Sequence, residues 1–326
     1  MARQLLITSL AALAISTMAT AQTVPTNAPS TAGPAQIDKT TQTEDVRFRN
    51  EYNDRMTVPV RLAGEGPYRF LVDTGSNRTT ISRQLVSRLN LQPGAGVQVH
   101  SVAGVTNTST AKVPEIQLTH RAVKIADAPV LDGANMGADG ILGTDSLAAQ
   151  RVVFDFTDQT MSIVPSSTPD FHEEPGTIVV EGKRRNGRLV VTDATADGHS
   201  LIVVLDTGSQ VTIGNDALRA VLLNHRRAAN SQPIEIESVT GEKIAGDFTF
   251  VSDLEVGGIT LQNLAIVFAP AHTFKQLKLE DRPALLLGMN AIRAFKKVSI
   301  DFSRLTMRVV VPEHSALDVK VAAAAD

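Results

Sequence analysis

Asp73 and Asp206 each stand where an apolar run stops. Phe70-Leu71-Val72 leads into Asp73-Thr74-Gly75-Ser76, and Val203-Val204-Leu205 leads into Asp206-Thr207-Gly208-Ser209. A carboxylate at the end of a buried strand is costly to leave charged and alone, so it must be hydrogen-bonded, paired or kept neutral by a raised pKa. Two such acids on similar local frames point to a pair that meets. Carboxylates held close cannot readily both ionise; they share a proton, which makes one a base while the other is an acid. Gly75 and Gly208 permit a tight turn and let a backbone N–H approach the carboxylates.

The elements that must position these acids are duplicated as well. Any one Asp-Thr-Gly is expected in a chain of this length with a likelihood on the order of 0.1, so one copy is weak and two in matching surroundings are not. Both copies pass through a threonine, Thr79 and Thr212, into a helix-like segment, Arg83 to Leu89 and Asn215 to Leu223. Each acid is approached by a hairpin pattern. Met56 to Leu62 and Tyr68 to Val72 flank a connection rich in turn formers, Ala63 to Pro67; Arg188 to Thr195 and His199 to Leu205 flank Asp197-Gly198. Ile116 to Leu131 parallels Leu254 to Phe268, and Gly140-Ile141-Leu142-Gly143 parallels Leu285-Leu286-Leu287-Gly288. Each half closes with a strand pair, Val153 to Phe156 with Thr160 to Val164, and Ser299 to Phe302 with Thr306 to Val310. Such internal similarity describes two lobes, residues 45–164 and 177–312, joined by a solvated connector from Pro165 to Gly176. Short alternating strands with closely spaced turns predict an all-β fold with few short helices.

Composition sets the outer bounds. The 326 residues are 43% hydrophobic and 20% charged, which suits a globular chain with a sizeable core. A net charge of −3 provides no electrostatic footprint for nucleic acid. Residues 1–21 read as a secretory signal: Arg3 is a positive start, Leu5 to Ile15 an apolar core too short to span a bilayer, and Ala19-Thr20-Ala21 a small-residue cleavage site. Residues 22–44, rich in Thr, Pro and Ala, read as a flexible linker, and 313–326 as a tail. The expected location is therefore periplasmic or secreted, with no transmembrane segment in the mature chain. Cysteine is absent, which excludes disulfides and thiol chemistry.

From about Asp45 to Pro312 these motifs resemble the aspartic protease superfamily, and specifically bacterial retropepsin-like proteins with two lobes in one chain. The resemblance implies two similar β-barrel lobes around a central cleft, with the Asp-Thr-Gly loops face to face and Asp73 and Asp206 as the catalytic dyad. One carboxylate would act as base on a water while its partner hydrogen-bonds the peptide carbonyl. Thr74 and Thr207 would cross-bond between the loops. Ser76 and Ser209 are expected to donate to the outer carboxylate oxygens, with ordinary turn capping as the alternative. An extended peptide or protein substrate would lie under a mobile hairpin from each lobe. The candidates are Ser101-Val102-Ala103-Gly104 and Ser238-Val239-Thr240-Gly241. The only tyrosines are Tyr52 and Tyr68, so the flap tyrosine of pepsins has no counterpart. With both motifs in one chain, a monomer is the expected state, and neither cofactor nor metal is expected.

Other chemistry finds little support. The histidines show no metal-ligand spacing, no Gly-x-Ser-x-Gly is present, and Gly94-Ala95-Gly96 lacks the third glycine of a phosphate loop. His100 borders the expected cleft. Asp155 and Asp301 are read as turn or lobe-interface residues, and Lys183-Arg184-Arg185 beside Asn186-Gly187 as a solvated hairpin tip. The reading is an aspartic endopeptidase of exported or envelope proteins; the alternative is a peptide-binding module that keeps the fold without turnover.

Overall fold

The computed structural model describes residues 44–47, 49–50, 56–117, 122–148, 150–167, 177–223, 231–311 and 319–321. The expected secretory signal, nearly all of the N-terminal linker, and most of the connector and tail lie outside these residues. Among the described residues no helix is long and apolar enough to cross a membrane.

The chain is mostly β, in two similar lobes. In the N-terminal lobe the strand Met56–Leu62 alternates buried Val58, Val60 and Leu62 with exposed Pro59 and Arg61, the period of a sheet with one face in the core. It pairs with Glu65–Val72, which delivers the chain to Asp73. The expected connection of five residues contracts to a two-residue turn. Ala63 (φ 49°) and Gly64 (φ 83°) both adopt the left-handed conformation that a tight hairpin with matching twist requires. Met56–Leu62 pairs also with Val105–Gln117, which curls the eight-stranded sheet back on itself.

The strands that end at the aspartates lie inside their sheets. Phe70–Val72 runs parallel to Gly140–Leu142, and Ile202–Leu205 runs parallel to Ala284–Leu287. Covered on both faces, Val203, Val204 and Leu205 are fully buried, which explains why the sequence there is an unbroken apolar run rather than an alternation. The Asp197-Gly198 turn forms as its sequence demands, with φ of 46° and 80°. The hairpin it closes is bent into two parts: Ala194–Ala196 turns away to pair with Leu254 to Val256, while Arg188–Val191 stays with Ile202–Leu205.

A six-stranded sheet joins the lobes. The closing strand Gln150–Asp155 of one lobe pairs antiparallel with Lys297–Asp301 of the other, and Glu44–Arg47 and Thr177–Glu181 form its edges. Asp155 and Asp301 serve turns here: Asp155 Oδ1 accepts from the Thr157 and Asp158 amides, and Asp301 Oδ1 from those of Ser303 and Arg304. Lys297 Nζ also lies 3.4 Å from Asp155 Oδ2, across the lobe junction. In the tail, Val319–Val321 adds a strand beside Ile259–Phe268.

The short helices Arg83–Arg88 and Asp216–Leu222 occupy equivalent places. Each is capped by a side-chain oxygen, Ser82 accepting from the Leu85 amide and Asn215 from the Leu218 amide.

Candidate active site

The two Asp-Thr-Gly turns meet at the junction of the lobes. Thr74 donates its amide to Thr207 Oγ1 at 3.0 Å, and Thr207 donates its amide to Thr74 Oγ1 at 3.1 Å. Each hydroxyl then donates onward to the carbonyl just before the opposite aspartate, Thr74 Oγ1 to Leu205 O and Thr207 Oγ1 to Val72 O. Both threonines are buried, so these bonds have no water to compete with them.

Behind each turn the chain repeats one device. The Asp73 amide donates to Leu142 O and the Asp206 amide to Leu287 O, both at 3.1 Å. Next in sequence, the amides of Gly143 and Gly288 donate to the hydroxyls of Thr79 and Thr212. Glycine is required there because a Cβ on Gly143 would approach the Arg78 carbonyl carbon to 2.5 Å. Asp145 and Asn290, at matching places in the repeat, in turn accept from the Thr79 and Thr212 hydroxyls.

This frame brings the carboxylates together. Asp73 Oδ1 accepts from the Gly75 amide at 2.7 Å, and Asp206 Oδ1 from the Gly208 amide at 3.1 Å. A Cβ placed on Gly75 would lie 2.6 Å from Asp206 Oδ1 and 3.1 Å from Asp73 Oδ1, and one on Gly208 would overlap the Asp73 carboxylate. The two acids thus converge on one space that only glycine leaves open. Asp206 is buried and Asp73 half-buried. Burial, and after it the neighbouring Asp73, pushes Asp206 up to about 7, opposed by Arg188 and by the amides of Gly208 and Ser209.

The sequence profile of the Aspartyl protease family matches residues 58–146 and 192–291, one stretch per lobe, each containing one Asp-Thr-Gly turn. The chain belongs to the aspartyl protease family. Comparison with curated proteins finds no match.

In this aspartyl protease the hydroxyls of the serines after the turns do not reach the carboxylates. Ser76 Oγ donates to Arg78 O at 2.8 Å and Ser209 Oγ to Val211 O at 2.7 Å, so both hydroxyls close their own turns. The local carbonyl two residues on is the nearer acceptor and satisfies them first.

A cavity of about 280 Å³ opens above the aspartates. Its walls include Val99, Ser101 and Val102 from one lobe and Ile236, Ser238 and Val239 from the other. The two hairpin turns touch across it: Thr240 Oγ1 donates to Ser101 Oγ at 3.2 Å, and Thr106 Oγ1 donates to Glu242 Oε1 at 3.0 Å. Their tips are exchanged. Val102 packs against the C-terminal lobe cluster containing Val190 and Ile202, and Val239 against the N-terminal lobe cluster containing Leu71 and Ile141. Ala103 and Gly104 donate their amides to Ser101 Oγ, and the Gly241 amide closes the second turn on Ser238 O.

Two residues in this region carried no sequence signal of their own. His272 donates its amide to Val102 O, and its ring stacks on that of exposed His100 with Nδ1 of His100 2.9 Å from Nε2 of His272. Burial, the neighbouring His100 and then Lys275 hold His272 below the usual histidine range. The second is Arg188, buried at 6% exposure beside the aspartates. Its hairpin tip is exposed at Lys183, Arg184, Asn186 and Gly187, as the sequence leads one to expect, and it is also docked on its neighbours. Arg185 and Asn186 donate to the carbonyls of Lys278 and Gln276, and a Cβ on Gly187 would come within 2.7 Å of Asn77 Oδ1 in the other lobe. Among the described residues no group of three His, Cys, Asp or Glu side chains is placed to hold a metal ion.

Proposed function

We propose that this chain is an aspartic endopeptidase in which Asp73 and Asp206 share one proton and direct a water onto a peptide bond. The observation that carries the reading is the convergence of both carboxylates on the space beside Gly75. Asp206, the more buried of the two and the one pushed toward 7, holds the proton at rest and hydrogen-bonds the substrate carbonyl. The apparent constants belong to the pair. Asp73 takes a proton from the water as its oxygen attacks the carbonyl carbon. Asp206 passes its proton to the carbonyl oxygen to give a diol. The diol collapses as the carbon–nitrogen bond breaks, Asp73 giving its proton to the leaving nitrogen and one diol hydroxyl returning a proton to Asp206.

The substrate is an extended peptide segment lying between the dyad and the two turns, Ser101 to Gly104 and Ser238 to Gly241. The secretory reading of residues 1–21 makes exported or envelope proteins its source and the periplasm or exterior its site of action. One chain supplies both halves of the dyad, so a monomer suffices. Incubation with an unfolded protein from pH 4 to 8, read by mass spectrometry, is expected to yield internal cleavages; retention without cutting would instead establish the binding module.

Substrate entry requires the touching turns to part. Because the chain has no cysteine, Ser101→Cys with Thr240→Cys introduces a single thiol pair across the cavity mouth. Oxidation of this variant is expected to lower cleavage of a protein substrate by at least about tenfold, with recovery on reduction. An oxidised, cross-linked protein that cuts at the unmodified rate would rule the turns out as the cover.

A further inference from the structure

Arg188 opens the strand Arg188–Val191, all four residues of which are buried. A cation at 6% exposure needs partners, because loss of hydration costs several kcal/mol on the order given by ion burial. Its hydrogen bonds go to neutral acceptors: Nε donates to Gly75 O at 2.5 Å, and one terminal nitrogen donates to Gln276 Oε1 at 3.2 Å. Gly75 is the residue whose own amide donates to Asp73 Oδ1, so the guanidinium grips the N-terminal lobe's aspartate turn from the C-terminal lobe. The charge is balanced by the carboxylates that share its cavity wall. Arginine stays protonated throughout the working pH range, which makes this a permanent field.

We propose that Arg188 is a positioning residue for the dyad, anchoring the Gly75 turn across the lobe junction and setting the pH window in which the pair is singly ionised. The inference rests on the dyad reading above. A cation beside the pair favours each more ionised state, so it lowers both apparent constants and moves the active window toward acid. Burial pulls the Arg188 guanidinium below the usual arginine range, while Asp206 and then Asp73 raise it, the reciprocal of the same interaction. The other charged or titratable side chains of the cavity wall are Arg78, His100, Glu235 and Glu237. Among charged groups, Asp73 and then Arg188 weigh most on Asp206.

The test compares Arg188→Gln and Arg188→Lys with the unaltered full chain, by carboxyl carbon-13 NMR titration of the dyad and by the pH profile of kcat/KM. Arg188→Gln is expected to move both titration steps, and both limbs of the activity profile, upward by about one pH unit. Arg188→Lys keeps the charge and loses the fork, so its limbs stay in place while kcat falls. Should Arg188→Gln not fold, Gln276→Glu places a carboxylate on the guanidinium and is expected to move the same steps upward. A folded Arg188→Gln, or Gln276→Glu, whose steps stay where they were overturns the proposal, even if its rate is reduced at every pH. The titration is read without turnover, so a chain that never cleaves refutes the endopeptidase reading and leaves this result separately decided.

Discussion

Asp73→Asn and Asp206→Asn, each alone, are expected to lower peptide cleavage by at least about a thousandfold, within the range that positioned acid–base groups contribute. Asparagine keeps the shape and an acceptor oxygen but can neither take the water's proton nor present a shared one. The folded state should survive both changes, and for Asp206 it should gain. The Asp206 carboxyl is held near 7 in the folded chain, against about 3.9 when unfolded. A raised folded value means that this group's contribution is intact below pH 4 and is lost as pH rises through 7, since the unfolded chain ionises first. Asp206→Asn is therefore expected to melt at a higher temperature than the unaltered protein at pH 8, and at a similar temperature at pH 3.5. Retained cleavage in either variant would end the shared-dyad mechanism. An equal melting temperature at both pH values would show that Asp206 is not held protonated.

The second large effect concerns the threonine cross-lock. Thr207→Val removes the acceptor for the buried Thr74 amide and the donor for Val72 O. Valine nearly matches the threonine shape, so no cavity is formed and the loss is that of the hydrogen bonds. Leaving two buried backbone groups unpaired costs about 2–6 kcal/mol in total, at about 1–3 kcal/mol each. Thr74→Val does the same to the Thr207 amide and Leu205 O. Chemical denaturation is expected to show this loss for each variant, while Thr→Ser at either place, which keeps the hydroxyl, should lose much less. Cleavage should fall by at least about tenfold for valine, because the carboxylates ride on these turns and small displacements are costly to catalysis. A valine variant with unaltered stability and rate would show that the lobes are aligned by the shared six-stranded sheet alone.

Much of the fold was readable in the chain because the signals concerned are local. Left-handed pairs at Asp197-Gly198 and Asn186-Gly187 specify tight hairpins through backbone sterics. The duplicated Asp-Thr-Gly and the later Gly143 and Gly288 declare two lobes because each copy solves the same local problem of bringing backbone close to backbone. Where two local solutions compete, the local sequence does not choose between them. Ser76 and Ser209 had either a carboxylate or a nearby carbonyl within reach, and only atomic positions show that the carbonyl wins.

The chain alone determined that two strand-end acids exist on equivalent frames, and that both need a partner. Tertiary structure decided who the other participants are. Arg188 lies 113 residues from the Gly75 carbonyl it holds, and Val102 and Val239 insert into the lobe opposite their own. Periodicity and turn chemistry act over a few residues and report which face of a strand is buried. They carry no information about which surface of the other lobe arrives there. That is settled by the junction itself, where the paired closing strands and the threonine lock bring the two halves into a single register.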